Sequence, residues 1–219
     1  MVEDVSTNQV VAKTMLAKLG LSVDIAQDGL EAITKWQGNR YDLIFMDCRM
    51  PNMDGYQATK HIRSNESHVR TPIIALTANV TEEDRLKCKE AGMDAVIMKP
   101  FKPTDLQNAL VEWLDSEVKP KKFSEASIDE IELSTKSRDA IDLNTFRNTQ
   151  QLLGDGFSEL VDSIVTDLAS ILERLSSWSD LLDIDGLALL PHSMKSASAY
   201  IGAMKLNQLA TNCLSLIHI

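Results

Sequence analysis

The chain has 219 residues, 44% hydrophobic and 25% charged, with a formal net charge of −10. That length and composition suit one large or two ordinary globular domains. The acidic balance argues against a partner bound through nucleic-acid phosphates, and no apolar run approaches the roughly 18 residues of a bilayer span.

The opening MVEDVSTNQVV has no basic segment leading into an apolar one, so it is not a signal peptide. Cys48, Cys88 and Cys213 are far apart and form no CxxC pair. Neither a zinc site nor a disulfide framework is indicated, and a reducing compartment fits.

Only Met1 and Val2 precede the acidic pair Glu3–Asp4, where a first strand would end. Two residues are too few for a central strand that pairs on both sides. Helical patterns follow at 8–19, 29–37, 55–64, 81–91 and 103–115. Between them lie short apolar, β-rich runs: LSVDIA (21–26), DLIFMD (42–47), PIIALTA (72–78) and DAVIMKP (94–100). This alternation predicts a doubly wound α/β domain, a parallel sheet covered on both faces, over residues 1–115.

Ligand chemistry in such sheets sits at the carboxyl ends of the strands. Asp47, Thr77 and Lys99 each fall there, beside Glu3 and Asp4. Three carboxylates packed together repel and need a cation, and hard oxygens suit Mg²⁺. A carboxylate can also act as a nucleophile and form an acyl phosphate. Phosphoryl transfer then wants a fixed cation, supplied by Lys99, and a hydrogen-bond donor, supplied by Thr77. Asp54 and Gly55 read as the turn and cap before the third helix. Cys48 reads as a buried thiol, and His61, His68 and His218 as solvated side chains.

VEDVSTNQ (2–9), FMDCRMPNMDG (45–55), LTAN (76–79) and MKPF (98–101) stand in order and at suitable spacing, and together they resemble the receiver domain of response regulators. The resemblance implies a flavodoxin-like fold with Asp47 as phosphoacceptor. It also implies Mg²⁺ held by Asp4, Asp47 and the Arg49 carbonyl, with Glu3 helping through water. Thr77 and Lys99 would hold the phosphoryl group, and the Lys99–Pro100 bond would be cis. Val96 stands where family members that switch an output surface often carry an aromatic, which fits a domain that passes phosphate onward. An aspartyl phosphatase of the haloacid dehalogenase type would want an Asp at position 49, where this chain has Arg.

Residues 116–141 are polar and aperiodic, and read as a linker. From Asp142 the strands vanish. LNTFRNTQQLL, GFSELVDSIVTDLASILERLSSW, GLALLPHSMKSASAYIG and AMKLNQLATNCLSLIHI read as helices, the second with a clear apolar stripe through Phe157, Leu160, Ile164, Leu168, Ile171 and Leu175. Projected at about 100° per residue, Lys195, Ser196 and Ala199 share an open face with His192, while Met194, Ala197 and Ile201 are buried. A neutral imidazole is a good phosphoryl acceptor near neutral pH, and Lys195 would steady the charge. Pro191 predicts a local kink just before His192.

HSMKSASAYIGA, with His192, Lys195 and Gly202–Ala203, resembles the histidine-containing phosphotransfer (HPt) domain. That resemblance implies an all-α, partial four-helix bundle over residues 142–219. A receiver followed by such a domain is the order at the carboxyl end of hybrid sensor histidine kinases. The implied function is a phosphorelay in which Asp47 takes a phosphoryl group from a kinase phosphohistidine and His192 passes it to a downstream response regulator. The implied partners are therefore a histidine kinase domain, in the same parent chain, and that regulator's receiver. The alternative is a regulatory interaction module, or phosphate sink, that uses Asp47 alone. No ATP-binding kinase domain is evident. The expected location is cytoplasmic, with a parent protein of the histidine kinase family anchored in the inner membrane. With a short first strand and room for one helix after Ala203 where the bundle needs two, the chain is expected to be a fragment, its first strand truncated and its C-terminal helix missing.

Overall fold

A computed structural model describes residues 1–67, 70–78, 81–114, 141–176, 194–195 and 198–217. The chain divides into two compact units, Met1–Asp4 with Met15–Phe123, and Val5–Thr14 with Ser124–Ile219. Among the described residues no helix is long and apolar enough to cross a membrane.

The first unit is built on strands β1 (Ile44–Asp47), β2 (Ile73–Thr77) and β3 (Ala95–Met98), parallel and in that order. Val2 adds single parallel bridges to Met46 and to Ala26, which extends the sheet outward from β1. The resulting order, first segment between the second and β1, is that of a flavodoxin-like doubly wound sheet. Every residue of β1 and β2 is buried, as expected for parallel strands with helices on both faces. Ile44 and Met46 of β1 and Ile73 and Ala75 of β2 join Ala58 and Ile62 in one core cluster, with Val96 packed against it.

Two expectations about the start of the chain are corrected. Val2 does pair on both sides: its N–H donates to Phe45 O at 2.8 Å and its carbonyl accepts from Asp47 N at 3.0 Å, while Glu3 N donates to Ala26 O at 3.0 Å. Residues 21–26, read as a strand, form no ladder and contribute only the bridge at Ala26. Their partner is the three-residue segment Met1–Glu3, and a ladder needs successive paired residues.

Helices α2 (Gly29–Gly38), α3 (Gly55–Asn65), α4 (Glu82–Ala91) and α5 (Pro103–Trp113) connect or flank the strands, while most of α1 (Ser6–Lys18) belongs to the second unit. Their starts follow capping chemistry. Asp28 and Asp54 accept from the backbone of Glu31 and Gln57. Thr81 and Asp84 form a reciprocal capping box on α4, and Pro103 opens α5 where no amide partner is needed.

The C-terminal region is helical. Its described helices are α6 (Leu143–Leu153), α7 (Gly156–Ser176) and α8 (Met204–Ile217). Asp142 caps α6 through Asn144 N at 3.0 Å and Thr145 Oγ1 at 2.8 Å. The predicted stripe on α7 buries Leu160 and Ile164, and Phe157 meets Phe146 of α6 edge to face, with centroids 5.0 Å apart. The expected linker, apart from Ile141, lies outside the described residues, as do Pro191 and His192.

Candidate functional site: an acidic pocket at the strand ends

Each strand end of the first unit delivers one polar residue. β1 ends on Asp47 and β2 on Thr77, while Lys99 follows β3 immediately. The register fixes their company: Asp47 lies opposite Leu76, Thr77 opposite Met98, and Lys99 N donates to Thr77 O at 2.7 Å. Glu3 and Asp4 follow the bridge at Val2. The Lys99–Pro100 peptide bond is cis.

Lys99 Nζ donates to Glu3 Oε2 and to Asp47 Oδ2, both at 2.5 Å. Glu3 and Asp47 are 0% exposed and Lys99 is 4% exposed. The other Asp47 oxygen, Oδ1, accepts from Arg49 N at 3.1 Å. Ligand atoms of Glu3, Asp4 and Asp47 all lie within 4.8 Å of one another.

Burial pushes the Glu3 carboxyl up to about 8. Lys99 pulls it down, but the charges of Asp47 and Asp4 add to the rise. Burial also opposes the charge on Lys99, yet Asp47 and Glu3 outweigh it and hold the ammonium above its ordinary value. One cation among three carboxylates leaves an excess of negative charge in a desolvated place. Hard oxygens so arranged fit a divalent cation of the Mg²⁺ type.

Gly55 is a site residue that the sequence presents only as part of a turn. A Cβ there would lie 2.0 Å from the Asp47 carbonyl oxygen, so the first turn of α3 closes on the backbone of Asp47 only because position 55 has no side chain. Its N–H donates to Cys48 O at 3.3 Å. The sequence presents this glycine as the last residue of FMDCRMPNMDG and as a helix start, and neither reading states its approach to the Asp47 carbonyl.

Cys48 is a buried thiol, as read from the sequence, and Cys88 is its neighbour in space. Cys48 Sγ and Cys88 Sγ are 3.9 Å apart, though 40 positions separate them. Their shared hydrogen bond, with burial behind it, raises the Cys48 thiol, and the same bond lowers that of Cys88. His61 is exposed, as expected.

In the second unit Lys195 is half-buried on a helical segment, and its carbonyl accepts from Asn207 Nδ2 at 2.7 Å. Ala199, expected on an open face, is instead 5% exposed, and Ile201, expected to be buried, is half-buried. Helices on two sides account for this. Thr149 Oγ1 on α6 donates to Tyr200 O at 2.6 Å, Asn207 Nδ2 on α8 reaches Ser198 Oγ at 3.3 Å, and Asp142 N donates to Gly202 O at 2.7 Å. The projection onto a single helix carries no information about neighbours on both flanks.

A doubly wound α/β domain whose strand ends gather three carboxylates, a hydroxyl and a lysine defines the class of protein. Residues 1–111 match the response regulator receiver domain, and the chain belongs to that family. Over 145 residues it is 39% identical to probable histidine kinase 1 of Oryza sativa subsp. indica, covering 52% of this chain and 15% of that protein. Over 218 residues it is 29% identical to the aerobic respiration control sensor protein ArcB of Escherichia coli K12, covering 95% of this chain and 26% of that protein. Among solved structures it is similar to the receiver domain of sensor histidine kinase PA1611 from Pseudomonas aeruginosa PAO1, which has a magnesium ion coordinated in the active site cleft. The identity there is 48% and the TM-score 0.48, over 51% of this chain and 92% of that one.

Proposed function

We propose that this chain is a phosphorelay module, in which Asp47 accepts a phosphoryl group from a kinase phosphohistidine and His192 passes it to a downstream response regulator. The observation that carries the first half is the buried Lys99 ammonium shared by Asp47 and Glu3, with Asp4 beside them. Asp4, Asp47 and the Arg49 carbonyl would hold Mg²⁺, with Glu3 in support. Bound there, the cation neutralises charge on the transferring phosphoryl oxygens.

An Asp47 carboxylate oxygen attacks phosphorus in line with the departing imidazole nitrogen. Lys99 Nζ, already against Asp47 Oδ2, turns its donors to a phosphoryl oxygen as the acyl phosphate forms. Thr77, at the end of the neighbouring strand, donates its hydroxyl to another.

The second half rests on the motif HSMKSASAYIGA and on a helical C-terminal region, read as a histidine phosphotransfer bundle. Lys195 would steady the phosphoryl group on His192. The kinase domain and membrane anchor are assigned to the parent protein, with this part in the cytoplasm.

The test is transfer of radiolabel from a phosphorylated kinase domain onto the chain, then onto a separate receiver. The wild type is expected to pass label onward. Asp47→Asn takes none, and His192→Gln keeps label on Asp47. Label that never leaves Asp47 in the wild type supports instead a regulatory module or phosphate sink that uses Asp47 alone.

A further inference from the structure

Cys48 stands between Asp47 and Arg49, and its sulfur touches that of Cys88 on α4 across 3.9 Å. The two residues are 1% and 2% exposed and belong to the same apolar cluster as Met50, Ala91 and Met93. A disulfide needs its sulfurs about 2.05 Å apart, so bond formation must close roughly 1.9 Å. The backbone at Cys48 is pinned, its N–H on Leu76 O at 3.0 Å and its carbonyl accepting from Gly55 N. Closure therefore comes from side-chain rotation and from drawing α4 toward the end of β1.

We propose that Cys48 and Cys88 form a peroxide-oxidisable dithiol, whose disulfide ties α4 to the strand end that carries Asp47 and slows phosphoryl acceptance there. The second clause rests on Asp47 being the phosphoacceptor; the first does not. The oxidant is a hydroperoxide. The Cys88 thiolate attacks one peroxide oxygen and breaks the O–O bond, giving a sulfenic acid and, after proton uptake, water. The Cys48 sulfur then attacks the Cys88 sulfur and forms the S–S bond. Hydroxide leaves, takes the Cys48 proton and departs as a second water. Two thiols are oxidised and one peroxide is reduced. The sequence of steps is the same with the two sulfurs exchanged, because either can donate in the hydrogen bond they share. The burial of both thiols restricts the oxidant to a molecule near the size of water, so hydrogen peroxide reaches the pair and glutathione disulfide does not.

The experiment treats the reduced full chain with hydrogen peroxide or with glutathione disulfide, followed by non-reducing digestion and mass spectrometry. The expected result with peroxide is loss of two hydrogens and a linked peptide pair containing Cys48 and Cys88, reversed by dithiothreitol. That pair is absent in Cys88→Ala and absent after glutathione disulfide. No linked pair, a link through Cys213, or sulfinic acid alone overturns the site. Acetyl phosphate is then given to the oxidised and reduced proteins. A fall in Asp47 phosphorylation of about tenfold or more on oxidation, undone by dithiothreitol, is expected from the strain that the drawn-in α4 places on the residues beside Asp47. Equal rates overturn the coupling. A reduced wild type that takes no phosphate contradicts the phosphoacceptor reading and leaves the peptide result standing on its own.

Discussion

At the strand ends of the first unit, three ionisable groups are sealed from water: Glu3, Asp47 and Lys99. Around Lys195 and Tyr200 in the second unit, neutral side chains make the inward hydrogen bonds: Ser198, Thr149 and Asn207 are each bonded to a carbonyl or a hydroxyl. Buried charge is expensive unless paired, whereas a neutral hydrogen bond contributes about 1 kcal/mol. Changes in the first place therefore strike stability and chemistry together. Changes in the second loosen a helix end and leave the first pocket's chemistry alone.

Lys99→Met is expected to have the largest effect. It leaves Glu3 and Asp47 buried without their cation, a loss of about 3–5 kcal/mol in denaturant unfolding, together with phosphoryl acceptance. A Lys99→Met protein as stable as the wild type would break the comparison.

The next effect depends on pH. The folded-state value of Glu3, about 8, lies above the ordinary 4.5. Between those values the folded chain keeps a proton that the unfolded chain has released, so stability falls as pH rises from about 5 to 8. Glu3→Gln removes that slope, and the difference between wild type and variant changes by on the order of 4 kcal/mol between about pH 5 and pH 8. Mg²⁺ is expected to flatten the wild-type curve in the same way, since a bound cation favours the ionised carboxylate. Parallel curves for the two proteins would contradict the assignment.

Gly55→Ala sharpens the comparison by geometry alone. Its added methyl meets the Asp47 carbonyl at 2.0 Å, and the forced shift is expected to cost about 1–3 kcal/mol and to slow phosphorylation of Asp47. Thr149→Val has the smallest expected effect, about 1 kcal/mol in thermal unfolding, from the hydrogen bond lost to Tyr200 O. Acceptance of phosphate by Asp47 should be unchanged in that variant.

How much of this was legible in the sequence depends on what each feature is made of. Strand ends are local. Apolar runs such as IFMD and IIALT stop on Asp47 and Thr77, and parallel strands buried on both faces read as unbroken apolar text. The caps of α2, α3 and α4 are equally local, because one side chain reaches an amide three residues on. Contacts that depend on another element were not legible. Nothing near position 88 says that its sulfur meets Cys48, and nothing near Gly55 says that a carbonyl lies where its Cβ would be. Residues 21–26 carry strand-like text, but pairing needs a partner of matching length, and Met1–Glu3 supplies one bridge. Ala199 failed for a related reason. Its own helix assigns it an open direction, while Thr149 and Asn207 on flanking helices close over that turn.

The central claim is that the pocket of Glu3, Asp4, Asp47 and Lys99 makes an acyl phosphate on Asp47. It is tested most directly by incubating the full chain with acetyl phosphate, with and without Mg²⁺, and mapping the modified residue by mass spectrometry of borohydride-trapped peptides. The account predicts one phosphate, on Asp47, formed only with Mg²⁺ and absent in Asp47→Asn. Phosphate on another residue, or equal labelling of Asp47 without a divalent cation, would contradict it.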